Sequence, residues 1–125
     1  MKAALKAIAK LGWTDRSESD IRIIETIDEL KQAVHRYGVV MIAMKIHHQW
    51  KSQIGKYEMN SISGDLLGGH AVLCCGYDRH GVIIQNSWSQ DWGKFGYCNI
   101  AWSVFCEEFI EGAYYANILN CLEEE

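Results

Sequence analysis

Two apolar runs of strand length flank the tetrad Asp78-Arg79-His80-Gly81, one from His70 to Gly76 and one from Val82 to Asn86. That order reads as a β-hairpin closed by a tight polar turn. No other feature constrains the chain as much, because a hairpin commits its second half to antiparallel pairing and decides which residues stand opposite one another. The start of the first strand faces the end of the second, so His70 and Asn86 are expected within a rung or two of each other. An imidazole held by an amide side chain is the orienting half of a nucleophile–His–Asn arrangement, in which the amide fixes the ring and its tautomer. On these two residues alone the structural reading, a polar pair tying strand ends together, is the commoner one.

The remaining segments supply layers for such a sheet. Ala4, Leu5, Ile8 and Leu11 recur at helical spacing from Met1 to Leu11, with Gly12 where a C′ residue belongs. Thr14 to Asp20 is polar and reads as a loop, and Ile21, Ile23 and Ile24 suggest a short strand. Thr26-Ile27-Asp28-Glu29 has the form of a capping box, in which the Thr26 hydroxyl and the Glu29 carboxylate each satisfy a free backbone amide. A second helix is expected from there, with Ile27, Leu30, Val34 and Tyr37 on its apolar face and Gly38 ending it. Val39 to Met44 is a continuous apolar run that suits a strand covered on both faces. His47 to Gly69 reads as a long loop with little regular structure, a length that usually signals function or disorder. Tyr97 to Ala101 and Ala113 to Leu119 are strand candidates, with a helical turn between Trp102 and Glu111.

With 125 residues, 49% of them hydrophobic and 22% charged, the chain has the proportions of one globular domain, 1–125. Such a domain buries roughly two-thirds of its unfolded surface and needs no disulfide or metal to hold its core. A net charge of −4 argues against a phosphate-binding surface, so nucleic acid is not an expected partner. Lys2, Lys6 and Lys10 at one end and six Glu from Glu107 to Glu125 at the other read as solvated ends. Cys74, Cys75, Cys98, Cys106 and Cys121 are odd in number and lack zinc-ligand spacing, which suggests a reducing, cytoplasmic setting. No apolar run approaches the roughly 18 residues of a membrane span. His47 and His48, neighbours on an expected strand, point to opposite sides and make a poor metal pair. Neither a metal nor another cofactor is expected.

Beyond the hairpin, the blocks Gly68-Gly69-His70-Ala71-Val72-Leu73-Cys74-Cys75-Gly76-Tyr77, Gln85-Asn86-Ser87-Trp88 and Trp92-Gly93-Lys94-Phe95-Gly96-Tyr97 closely resemble the papain family of cysteine peptidases. Ala4-Leu5-Lys6-Ala7-Ile8-Ala9-Lys10-Leu11-Gly12-Trp13 is similar to a helix of bacterial papain-like proteins, and Thr26 to Val40 to their helix-to-strand passage. The resemblance implies an α+β fold: a bent, mostly antiparallel half-barrel with two N-terminal helices, the right-hand half of a papain fold. It also implies His70 as the catalytic base and Asn86 as its orienter, with Trp88 shielding their hydrogen bond. Trp92, Gly69 and Ser87 support the site. Ser89 departs from the glycine usual after the motif Trp, and the local turn is expected to suffer if it requires a positive φ.

The family's nucleophile lies in a Q-x-x-x-C-x-S-C-W block together with the oxyanion-hole Gln, and this sequence contains no such block. Cys74 shares strand parity with His70 but stands about 13 Å along the strand, and Cys75 points to the other face. Both are expected to be core thiols, and Cys98, Cys106 and Cys121 structural. Ser61, Ser63 and Asp65 precede His70 in the loop and are weak substitutes for a nucleophile. Trp50, Tyr57 and Met59 could form an exposed patch for a partner. The first functional expectation is a non-hydrolytic protein-binding or inhibitory module of phage, mobile-element or host origin. The alternative is the His/Asn half of a cysteine peptidase paired with a Cys-bearing half. In either case a protein partner or a second copy is expected to cover the face that the missing half would occupy.

Overall fold

A computed structural model of the chain describes residues 21–115. The expected first helix, Met1 to Leu11, and Cys121 lie outside the described residues. In chain order the elements are β1 (Ile21–Ile24), α1 (Ile27–Tyr37), β2 (Val40–His47), a 3-10 turn (His48–Ser52), β3 (Glu58–Met59), β4 (Leu66–Tyr77), β5 (Gly81–Gln85), β6 (Tyr97–Ala101), α2 (Trp102–Glu108) and β7 (Phe109–Tyr115). The strands form one seven-stranded sheet in the order β1-β7-β2-β4-β5-β6-β3. Every pairing is antiparallel except β3 with β6. The sheet is open, with β1 and β3 at its edges, so the half-barrel does not close.

α1 forms where the sequence places it. Thr26 is extended at the N-cap and its Oγ1 accepts the Glu29 amide at 3.1 Å, while Gly38 ends the helix at a φ of 87°. The Glu29 carboxylate accepts from the Thr26 hydroxyl at 3.0 Å, a variation on the expected reciprocal bond to the backbone amide. Leu30, Ala33 and Val34 face the sheet and bury there.

β2 alternates. Val40, Ile42, Met44 and Ile46 enter the core, while Met41 and Ala43 are half-buried and Lys45 is exposed on the other side. The other face is only partly covered: buried Ile21 and Ala113 pack there with Ile23 and Met41. Cross-strand register makes that face a continuous row from Ile23 through Ala113, Met41, Leu73 and Gln85 to Tyr97, exposed from Leu73 onward. The opposite face carries the core, where Val72, Cys74, Val82, Ile84, Cys98 and Ile100 pack with Val104 and Phe105 of α2.

The supposed loop between β2 and His70 contains the 3-10 turn, β3 and the first four residues of β4. β7 begins four residues earlier than the sequence reading places it, directly after α2. A register shift at Ala43/Met44 and another at Cys74/Gly76 mark β-bulges, which interrupt the two-residue alternation that a sequence reading depends on.

Candidate active site

Residues 66–77 form a single strand whose even positions turn toward the core: Val72 and Cys74 are buried, and His70, two residues earlier, lies half-buried at the sheet's end. β2 fixes its height, because His70 pairs with Met44. Asn86 follows β5 directly, and its amide donates to the Gly96 carbonyl at 2.9 Å, which closes the loop between β5 and β6 beneath it. The hairpin thus brings the two side chains together as its register requires: His70 Nε2 and Asn86 Oδ1 are 2.9 Å apart.

A carbonyl oxygen can only accept, so His70 Nε2 donates and the lone pair resides on Nδ1. That nitrogen has no hydrogen-bond partner among the described residues. Asn86 is 4% exposed, which keeps the bond away from water. The ring of Trp88 lies tilted against the imidazole with centroids 5.2 Å apart. His80 shows the contrasting case: its Nδ1 faces Asn99 Oδ1 at 2.6 Å and its Nε2 faces Asn60 Oδ1, so both of its ring nitrogens are engaged.

Three indole rings, those of Trp50, Trp88 and Trp92, pack around the pair. Trp50 stacks on Trp92 at 5.4 Å and 25°, and it presents an edge to His70 at 6.4 Å and to Trp88 at 6.1 Å. The Trp92 indole donates to the Trp50 carbonyl at 2.6 Å. Trp50 and Met59 are fully buried and Tyr57 half-buried, so the expected exposed patch of these residues does not exist. Trp50 is instead the site residue that sequence reasoning misplaces. The available signal is its position three residues beyond β2, where the chain has not yet left the core. Buried Gln53 holds the following turn through Nε2, which donates to the carbonyls of Lys56 and Glu58.

Gly69 has room for a Cβ, whose nearest neighbour would be Ile110 Cδ1 at 3.7 Å, so its absence of side chain is not required by packing. Ser87 is exposed beside Asn86. Ser89 does not adopt a positive φ, and among the described residues the non-glycine residue that does is Phe95, at 55°. Phe95 and Gly96, the latter at 87°, are the central pair of a two-residue turn closed by Lys94 and Tyr97, as a type I′ turn demands.

Cys74 and Cys98 are fully buried, and loss of water pushes each thiol up to about 12. Cys75 is half-buried, not a core residue, and desolvation raises its thiol as well. Cys106 is exposed on α2. The raised thiols of Cys74, Cys75 and Cys98 are the opposite of an activated thiolate. Ser63 and Asp65 use their backbone carbonyls to cap the 3-10 turn through Gln49 and His48, and Ser61 is exposed. His47 lies 3.7 Å from Glu108, His48 is exposed, and no cluster of three metal-ligating side chains occurs among the described residues. Among those residues no helix is long and apolar enough to cross a membrane.

A family model described as papain family cysteine protease matches residues 6–116, and the chain belongs to that family. It is 36% identical to procathepsin L of Rattus norvegicus over 83 residues, covering 58% of this chain and 24% of that protein. A cathepsin B-like protein of Giardia intestinalis is 36% identical over 77 residues, covering 57% and 25%. The chain thus spans about a quarter of the length of these curated relatives. Among solved structures, xylellain, a cysteine protease from Xylella fastidiosa, superposes with a TM-score of 0.60 at 22% identity, over 76% of this chain and 39% of that one. Procathepsin B from Trypanosoma congolense gives the same score at 19% identity, over 77% and 35%. These superpositions establish the papain-like fold.

Proposed function

We propose that this chain supplies the base-and-orienter half of a papain-type cysteine peptidase, with the nucleophilic thiol coming from a segment other than the described residues. The observation that carries the reading is the 2.9 Å bond from His70 Nε2 to buried Asn86, which leaves Nδ1 available to a reactant. His80, away from the site, has both of its ring nitrogens engaged.

In this reading His70 Nδ1 takes the proton of an incoming thiol, giving a thiolate and an imidazolium, and later returns a proton to the leaving amine. Asn86 Oδ1 holds the Nε2 proton throughout and prevents the ring from turning, and Trp88 excludes water from that bond. A protein segment bearing the thiol docks at the end of the sheet where His70 lies half-buried, with its thiol at Nδ1. This reading takes precedence over the non-hydrolytic module. The module keeps one observation in its favour, that burial holds the thiols of Cys74, Cys75 and Cys98 up.

The test is to combine the purified chain with a papain-type segment carrying a Q-x-x-x-C-x-S-C-W block and to follow thiol-dependent cleavage of a fluorogenic peptide amide. His70→Ala should lower turnover by about 10²–10⁴-fold, and Asn86→Ala by less. Unchanged turnover in His70→Ala overturns the catalytic reading. A tight complex without cleavage favours the binding module.

A further inference from the structure

His80 sits at the tip of the hairpin, away from His70, and both of its ring nitrogens face acceptors. Nδ1 lies 2.6 Å from Asn99 Oδ1. That oxygen cannot change places with its amide nitrogen, because Asn99 is buried and its Nδ2 already donates to Asp78 Oδ2 at 2.9 Å. Nε2 faces Asn60 Oδ1 and, at 3.4 Å, the Glu58 carboxylate. A neutral imidazole carries one proton and donates to one side only. Turning the Asn60 amide round would still leave the Glu58 carboxylate against a lone pair. A ring protonated on both nitrogens donates to Asn99 on one side and to the Asn60 and Glu58 side on the other, and its charge meets that of Glu58.

Every element around the ring contributes to this corner. On the same turn, Asp78 Oδ1 accepts the amides of His80 at 2.9 Å and Gly81 at 3.1 Å. From α2, the Trp102 amide donates to the His80 carbonyl at 3.0 Å and the Trp102 indole to the Asp78 carbonyl at 2.9 Å. From α1, the Lys31 ammonium reaches the corner over the Trp102 ring, 4.7 Å from its centroid. β3 brings Glu58 and β6 brings the neutral Asn99.

What the Nε2 side of the ring fastens is β3, an edge strand of two residues. Buried Met59, the parallel pairing with β6 and the bond from the Asn99 amide to the Tyr57 carbonyl at 2.7 Å are its other attachments. The segment leads back to the site. Gln53 Nε2 holds the Glu58 carbonyl at 2.7 Å, and three residues earlier Trp50 packs against the ring of His70.

We infer that His80 is a charge-dependent clamp, which as an imidazolium fastens β3 to the hairpin tip and on losing its second proton releases the Glu58 end of the segment that carries Trp50. The contribution is present at acid pH, while the ring holds both protons, and is lost as pH rises and the ring becomes neutral. The neutral ring keeps its remaining proton on Nδ1, where Asn99 Oδ1 can only accept. The clamp stands apart from the peptidase reading, since neither His70 nor Asn86 takes part in it.

The experiment is amide hydrogen exchange of the whole chain by NMR at about pH 5.5 and about pH 8, on either side of the range in which an imidazole changes charge. Protection is corrected for the intrinsic pH dependence of exchange, and Asp78, held below its ordinary value, stays ionised throughout. The Asn99 amide should be roughly 2- to 5-fold less protected at the upper pH, the size expected of a partly exposed ion pair. That change should shrink in Glu58→Gln and vanish in His80→Gln, which keeps a donor and an acceptor without the charge. Nitrogen–proton correlations of the His80 ring should show both nitrogens protonated at the lower pH and Nδ1–H at the upper. Protection that does not change with pH, a change that survives His80→Gln or keeps its full size in Glu58→Gln, or an Nε2–H ring at the upper pH overturns the inference. Each of these outcomes leaves the His70–Asn86 bond as it stands, and that bond is read separately from the His70 ring signals.

Discussion

Trp50→Ala is the substitution whose consequences the structure specifies most fully. The side chain is 0% exposed, and it contacts the rings of Trp92, Trp88 and His70. Deleting a buried Trp costs roughly 3–5 kcal/mol through lost transfer energy and the cavity left behind. Three ring contacts at about 0.5–1.5 kcal/mol each account for much of that sum. A domain of this size is stable by about 5–15 kcal/mol, so the variant is left folded but marginal. At a urea slope of roughly 1.5 kcal/mol per molar, the midpoint followed by far-UV circular dichroism should fall by about 2–3 M. Trp50→Phe separates size from chemistry. It keeps a ring against Trp92 and removes the buried indole Nε1, which has no hydrogen-bond partner among the described residues. Because an orphaned buried donor costs roughly 1–3 kcal/mol, the net loss should be near 1 kcal/mol. A midpoint for Trp50→Ala within about 0.5 M of the parent, roughly 0.75 kcal/mol at that slope, would refute the placement of Trp50 in the core.

Three further perturbations test other parts of the structure. The Asp78 carboxyl is held below its ordinary value, chiefly by Asn99 Nδ2, which donates to it at 2.9 Å, and by the Gly81 amide at 3.1 Å. Its ionised form therefore stabilises the fold fully above the ordinary carboxylate range, and this contribution is lost as pH falls through the lowered folded value. Asp78→Asn should flatten that acid limb in urea titrations across pH 2–6, a span of roughly two units either side of an ordinary Asp. Iodoacetamide at mildly alkaline pH should label Cys106 first and leave Cys74 and Cys98 untouched until the chain is unfolded, as read by mass spectrometry. Gly81→Ala would put a Cβ 1.6 Å from the Ile100 carbonyl oxygen, where β5 and β6 meet, and should destabilise the fold by about 3 kcal/mol or more in thermal unfolding.

Local chemistry made much of this legible beforehand. The Thr26 cap, the Gly38 stop, the hairpin turn at Asp78 and the bounds of β6 are each decided by residues a few positions apart, and these expectations hold. The His70–Asn86 contact was legible for the same reason, since a hairpin register turns sequence separation into distance. Trp50 was not, because its partners Trp88 and Trp92 lie about forty residues on and no local pattern announces a stack. The start of β7 was placed too late, where a bulge and Gly112 break the alternation, and the expected end at Leu119 lies outside the described residues. Glu58 and Met59 could not be foreseen as a strand, because two residues carry no period and their parallel partner is the distant β6. How far the outer face is covered was not legible, because Met41 and Ala43, only half-buried, are as apolar as the buried residues between them.

The central claim is that Asn86 fixes His70 with its proton on Nε2 and its lone pair on Nδ1. A long-range nitrogen–proton correlation spectrum of the imidazole, recorded where the ring is neutral, tests it most directly. The structure predicts the Nε2–H tautomer in the parent chain and its replacement by a mixture of tautomers in Asn86→Ala. An Nδ1–H tautomer in the parent, or a spectrum that Asn86→Ala leaves unchanged, would contradict the claim.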